Sequence, residues 1–219
     1  MGARDVVQMA RTSGWGSEGR EFKSRRPDQF MKYHCISWRQ LHTLTHSLTE
    51  KIQKKNIKLD LIVGIARGGL TIAHIASDFL KLPVASFTIS SYKDLKQQEL
   101  SDISYPLGRD LKNKHILLID DVSDTGKTFI RGTAYLKELE AASVTTASPL
   151  IKPWTKYVPD FYVKEVNEWI VFPYDMRETI EAIQTNLLKD GKTPAHILEC
   201  LSHMKIPKKF VTKYLRKAV

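Results

Sequence analysis

Two segments constrain this chain more than any other feature: residues 59–65 (LDLIVGI) and His115–Ile119 (HILLI). Both are short apolar runs that do not alternate with polar residues. A strand covered on one face alternates, so a run of this kind needs cover on both. Amphipathic stretches supply that cover. From Ser37 to Lys54 the residues Trp38, Leu41, Leu44, Leu48 and Ile52 recur every three or four positions, the period of a helix with one apolar face. Residues 70–80, 127–140 and 178–188 read as further helices, and 83–89, 144–151 and 169–172 as further strands. This alternation predicts an α/β fold with a mainly parallel central sheet flanked by helices. Residues 90–114 are polar with no core period and read as a long exposed loop, a length compact domains reserve for function. In parallel sheets ligands sit beyond the carboxyl ends of the strands, which is where chemistry is to be sought.

The 219 residues suffice for one sizeable core without disulfides. No apolar run approaches the ~20 residues of a membrane span, so no transmembrane segment is expected. Residues 1–30 lack the apolar core of a secretory signal. The two cysteines, Cys35 and Cys200, form no CxxC pair, and a reducing, cytoplasmic location is expected. The net charge of +10 divides unevenly, with +2 over residues 1–30, +2 over 31–186 and +6 over 187–219. A nearly neutral body does not suit a protein that tracks phosphates along its face, so nucleic acid is not the expected partner. Residues 1–30 show neither helical nor strand periodicity and read as a disordered or non-native extension, with Met31 the expected physiological start. Residues 31–188 form the expected domain. Residues 189–219 form a basic tail whose Ile197, Leu198, Leu201, Met204, Phe210, Val211, Tyr214 and Leu215 fit two short amphipathic helices.

The strand HILLI runs directly into Asp120-Asp121-Val122-Ser123-Asp124-Thr125-Gly126-Lys127-Thr128. Three carboxylates so close together repel unless cations or hydroxyl donors compensate. A divalent metal or a sugar diol would do so. The Thr-Gly-Lys-Thr that follows opens a helix, where successive N–H groups, two hydroxyls and the positive helix end can wrap a phosphate. An acid pair beside a phosphate cradle suits a ligand with a sugar diol at one end and a phosphate at the other, the layout of a phosphoribosyl group. The ordinary alternative is a solvated acidic turn capping a helix. A nucleotide P-loop does not fit, because the position five before Gly126 is Asp121 rather than glycine. Ile65-Ala66-Arg67-Gly68-Gly69 ends the other apolar strand; its glycines let backbone approach a ligand, and its arginine offers a forked donor to a pyrophosphate. His42 and His46 lie four apart on the first helix without a third ligand at metal spacing, and read as surface or half-buried residues.

The stretch LIDDVSDTGKT resembles the phosphoribosyl-pyrophosphate (PRPP) signature of type I phosphoribosyltransferases. With SWRQLHTL, GIARGGL, FTISSY, IKP and EWIVFPYDM, the chain is similar to bacterial xanthine-guanine and hypoxanthine enzymes over residues 33–177. The resemblance implies the type I fold with a small hood over the base site, and likewise transfer of ribose 5-phosphate from PRPP to a 6-oxopurine (xanthine, guanine or hypoxanthine) in purine salvage, with release of pyrophosphate. It implies that Asp120 and Asp121 hold the ribose hydroxyls and Mg²⁺. Asp124, Thr125, Gly126, Lys127 and Thr128 would hold the 5′-phosphate, with Asp124 also the general base facing purine N7. Arg67, Gly68 and Gly69 become the pyrophosphate loop, often with a cis peptide. Lys152 would donate to the 6-oxo group, Trp169 and Ile170 would form the base pocket, and Asp175 would lie near the 2-position. A homodimer or homotetramer is implied as well. The chain departs from the xanthine-guanine pattern at Gln98, where those enzymes carry an arginine; Lys93, Lys96 or Arg109 are the candidates to replace it. A rival reading is a catalytically weak PRPP-sensing regulator that binds nucleic acid, against which Lys152, Trp169 and Asp175 argue.

Overall fold

The computed structural model of the chain describes residues 33–90, 102–108, 110–204 and 206–215. Strand β1 (Tyr33–Cys35) precedes helix α1 (Trp38–Lys54), then β2 (Leu61–Ala66), α2 (Gly68–Leu80), β3 (Val84–Ser90) and β4 (Asp102–Tyr105). Next come β5 (His115–Ile119), β6 (Val122–Ser123), α3 (Lys127–Glu138), β7 (Ser143–Ile151), β8 (Phe161–Glu165) and β9 (Trp169–Val171). Helices α4 (Met176–Lys189), α5 (Pro194–His203) and α6 (Lys208–Tyr214) close the chain. The chain divides into two compact units, one built on residues 44–165 and the other on 33–43 with 166–215. No helix among the described residues is long and apolar enough to cross a membrane.

The first unit carries a seven-stranded sheet in the order β4-β3-β2-β5-β7-β6, with β8 also paired to β7. Every pairing is parallel except β3 with β4. The two apolar runs are its central strands, β2 and β5, paired in the register Leu61↔Ile116 to Gly64↔Ile119. Their lack of alternation has the expected cause. Ile116 and Leu118 enter a core with Val63, Ile65, Phe87, Phe129 and Leu136, while Leu117 and Ile119, pointing to the opposite face, are just as fully buried. Each such side chain contributes about 1.5–3 kcal/mol by leaving water. Helix α2 lies close on β2: a Cβ at Gly64 would stand 2.9 Å from Gly69 O and 3.0 Å from the Ala73 Cβ. At the amino ends of the same strands, Asp60 N–H donates to His115 O and His115 N–H to Asp60 Oδ2, both at 2.8 Å. That second bond, with the charges of Lys58, His115 and Lys114, holds the Asp60 carboxyl below its ordinary range.

Within the segment read as a loop over 90–114, the described residues include a strand. β4 pairs with β3 (Thr88↔Tyr105, Ile89↔Ile103), and Leu111 is buried in the core. An edge strand need turn only one side chain inward, so the four residues DISY carry almost no apolar signal. Helix α1 begins at Trp38 on a capping box. Gln40 N–H donates to Ser37 Oγ at 3.2 Å, and Ser37 N–H to Gln40 Oε1 at 2.9 Å. Trp38, expected on the buried face, is 57% exposed instead, with its ring 6.1 Å from that of Tyr174.

In the second unit β1 and β9 form a parallel pair with Tyr33 opposite Trp169, His34 opposite Ile170 and Cys35 opposite Val171. Its core is Ile180, Ile183, Ile197, Leu201, Met204 and Ile206, with Tyr33, Cys35, Phe210 and Tyr214 packed against it. The two amphipathic helices expected in the tail are therefore α5 and α6, folded with α4. The Tyr33 hydroxyl is pushed up to about 12, first by burial and then by the neighbouring Cys200 and Cys35. A phenol that ionises at about 10 when unfolded and later when folded supports the fold fully below the first value and loses that support as pH rises through the second. We expect urea denaturation followed from about pH 9 to 12 to show a fall in stability that is smaller in Tyr33→Phe.

Candidate functional site

Because β2 and β5 are parallel neighbours in register, the segments leaving their carboxyl ends emerge side by side. Arg67 follows β2 across a cis bond from Ala66 and occupies the N-cap of α2, with its side chain exposed. Asp120 and Asp121 follow β5, each only 8% exposed. The two segments are in direct contact. A Cβ at Gly68 would overlap the Asp121 carboxylate, and one at Gly69 would overlap Ile119 O and stand 2.9 Å from the Asp120 Cα. The glycines expected to admit a ligand thus admit the acid pair itself, which is seated against the start of α2.

Asp120 also ties the two ends of its own loop together. Its Oδ1 accepts the Asp121 N–H at 2.9 Å, and its Oδ2 accepts the Thr128 hydroxyl at 3.2 Å. Between them, Gly126 takes φ +83° and forms the N-cap of α3. That conformation favours glycine, and so do the surroundings, for a Cβ there would lie 2.6 Å from both N and Cβ of Tyr157. The first N–H groups of α3 have no carbonyl one turn earlier and face the loop's end. The arrangement brings a positive helix start, the Thr125 hydroxyl, the Lys127 side chain and two buried carboxylates to one edge of the sheet.

A second segment straps this loop down. Lys152 N–H donates to Ser123 O at 3.0 Å and Lys156 N–H to Thr125 O at 3.2 Å. Ser123 Oγ donates to Tyr157 O at 2.7 Å and lies 2.9 Å from Thr155 Oγ1. The Tyr157 and Phe129 rings stack with centroids 5.5 Å apart. Lys152, placed at the end of β7, is 5% exposed, and its Nζ lies 5.2 Å from the centre of the Trp154 ring. The indole Nε1–H of Trp154 donates to Asp124 Oδ1 at 2.8 Å. Sequence reading does not single out Trp154. Its one local signal is a large aromatic in a polar turn, and its contacts arise only from tertiary placement.

A model of the phosphoribosyl transferase domain matches residues 37–180. The chain is 32% identical over 161 residues to the xanthine-guanine phosphoribosyltransferase of Cereibacter sphaeroides, covering 70% of this chain and 92% of that one. The chain belongs to the phosphoribosyltransferase family. The crystal structure of a purine phosphoribosyltransferase from Pyrococcus horikoshii is 37% identical, with a TM-score of 0.59 over 65% of this chain and 93% of that one. The xanthine-guanine-hypoxanthine phosphoribosyltransferase of Helicobacter pylori, 23% identical, covers 68% of this chain and 99% of its own with a TM-score of 0.58, and so shares the fold.

Within this phosphoribosyltransferase, Arg67, Gly68, Gly69, Asp120, Asp121, Asp124, Thr125, Gly126, Lys127, Thr128 and Lys152 all belong to the first unit. Trp169, Ile170 and Asp175 are placed by the second. Trp169 and Ile170 lie in β9, Ile170 buried, and Asp175 is the N-cap of α4, its carbonyl accepting the Thr179 N–H at 2.8 Å. Lys93, Lys96, Gln98 and Arg109 lie outside the described residues. His42 and His46 are exposed, the latter edge-on to Phe79 at 4.7 Å. No group of three His, Cys, Asp or Glu side chains among the described residues suits a metal by itself. Asp120 and Asp121 nevertheless fit a hard cation that takes most of its oxygens from substrate and water, because both are carboxylates and no softer donor accompanies them.

Gly69 faces backbone, which cannot swing aside, whereas Gly68 faces a side chain, which can. Urea melts are therefore expected to show Gly69→Ala losing about 1–3 kcal/mol of stability, the usual cost of overpacking, and Gly68→Ala losing less.

Proposed function

We propose that this phosphoribosyltransferase moves ribose 5-phosphate from PRPP to N9 of a 6-oxopurine, releasing pyrophosphate, as a cytoplasmic enzyme of purine salvage. The observation that carries the reading is the seating of the Asp120–Asp121 pair against Gly68 and Gly69, beside the α3 start. One edge of the sheet thereby offers acceptors for a diol and donors for phosphates at both ends of one sugar. The 32% identity to a xanthine-guanine enzyme and the buried Lys152 support the choice of base. An ammonium donates and cannot accept, so it suits a 6-oxo group over the 6-amino group of adenine. Assembly as a homodimer or homotetramer belongs to the same reading.

The mechanism follows from where charge develops. As the anomeric C–O bond of PRPP breaks, positive charge grows on the ribose and negative charge on the departing pyrophosphate. Arg67 and the N–H groups opening α2 bind that pyrophosphate and stabilise its growing charge. Thr125, Lys127 and the N–H groups opening α3, that of Thr128 among them, hold the 5′-phosphate and fix the ribose. Asp120 and Asp121 accept from the ribose hydroxyls and would hold Mg²⁺, which when bound offsets the charge of the pyrophosphate. Asp124 takes the N7 proton of the purine while N9 bonds to the anomeric carbon, and Lys152 donates to O6. Trp169 and Ile170 are assigned to the purine ring and Asp175 to its 2-position.

Incubation with PRPP, Mg²⁺ and each of xanthine, guanine, hypoxanthine and adenine should yield nucleotide from 6-oxopurines and not from adenine. Asp124→Asn should lower turnover about 10²-fold or more, and wild-type turnover in that folded variant removes Asp124 from the role of base. PRPP binding without nucleotide from any of the four would replace the enzyme by a PRPP sensor.

A further inference from the structure

Trp154 is 52% exposed, yet both parts of its side chain are engaged. Its one polar atom, Nε1, donates to Asp124 Oδ1 at 2.8 Å. Its ring lies over the Lys152 ammonium, 5.2 Å from the centroid, within cation–π range. An indole is planar and rigid and turns about only two side-chain bonds. One stiff side chain therefore touches both residues to which the proposed reaction gives the purine's N7–O6 edge.

A surface tryptophan could serve only to fasten its loop. Here that task is done by others: Ser123 with Thr155 and Tyr157 O, Lys156 N–H with Thr125 O, and Tyr157 against Gly126 and Phe129. With the strap secured by its neighbours, the contacts of Trp154 bear on Asp124 and Lys152. We infer that Trp154 is a positioning residue for recognition of a 6-oxopurine. Its N–H holds Oδ1 of Asp124 so that Oδ2 meets the N7 proton, and its ring sets the Lys152 ammonium at the spacing of O6. The inference rests on the roles proposed above for Asp124 and Lys152.

The two contacts can be removed separately. Trp154→Phe keeps a ring over Lys152 and loses the hydrogen bond; Trp154→Ala loses both. In the full-length protein with PRPP, Mg²⁺ and a 6-oxopurine, Trp154→Phe should lower kcat about tenfold, as a misplaced base does, with KM for both substrates little changed. Trp154→Ala should also raise KM for the purine about threefold, leaving KM for PRPP unchanged. In an Asp124→Asn background Trp154→Phe should cost nothing further, since the hydrogen bond has no base left to position. Wild-type kcat in Trp154→Phe beside an impaired Asp124→Asn overturns the inference and leaves the base in place. The same fold-loss from Trp154→Phe with and without Asp124 also overturns it, marking a general structural role. Wild-type turnover in Asp124→Asn removes the base itself, and the inference with it.

Discussion

The close approach of two strand ends is the constraint on which the rest of the site depends. Gly68 and Gly69 start a helix directly against Asp120 and Asp121, and neither tolerates a Cβ without moving its neighbour. This contact is possible only because β2 and β5 are parallel, adjacent and in register, so that Gly64 stands opposite Ile119. The register in turn follows from apolar side chains buried on both sheet faces, where a one-residue slip would exchange the residues of the two cores. Burial at the centre of the sheet thus determines which backbone donors and which carboxylates meet at its edge.

Burying two carboxylates is costly unless they are hydrogen-bonded. Asp120 meets the requirement with Asp121 N–H and the Thr128 hydroxyl, both supplied by its own loop. The loop must then curl tightly enough to bring Thr128 back to Asp120, and Gly126 with its positive φ permits that curl. The strap from Lys152 to Tyr157 closes over it from outside. Phosphate cradle, acid pair and strap are consequently one interlocked structure, in which Gly126 is required both by its own conformation and by the Tyr157 backbone.

What the sequence reveals and what it conceals follow from the same physics. The central strands and the helices 70–80 and 127–140 are legible because full burial on one or both faces writes a period into the residues; the structure ends the second helix at Glu138. Strands β1, β4, β6 and β8, two to five residues long, are not, since none carries a four-residue apolar run like ILLI or WIVF and several lie at sheet edges. The acid-and-threonine loop is legible because its chemistry is local, contained in nine consecutive positions. The contact of Trp154 with Asp124 spans 30 residues and leaves no local pattern. The exposure of Trp38 shows the converse, for a helical period names the apolar stripe but not how far along the helix its cover extends.

The basic tail illustrates how charge and burial can be read separately. Residues 187–219 hold a net +6, which in isolation suggests an arm for an acidic partner. Yet Ile197, Leu201, Met204 and Ile206 make up more than half of the buried cluster that Ile180 and Ile183 of α4 belong to. Tyr33 and Cys35, which pair with Trp169 and Val171 in β9, pack on the same cluster. The tail therefore helps to hold both the strand that carries Trp169 and Ile170 and the helix that Asp175 caps. The described lysines of the tail, Lys189, Lys192, Lys208, Lys209 and Lys213, remain outside once the apolar stripe is buried, as on any amphipathic helix. The positive charge needs no partner to explain it, whereas the apolar positions between the lysines are tied to the unit that carries the residues assigned to the base.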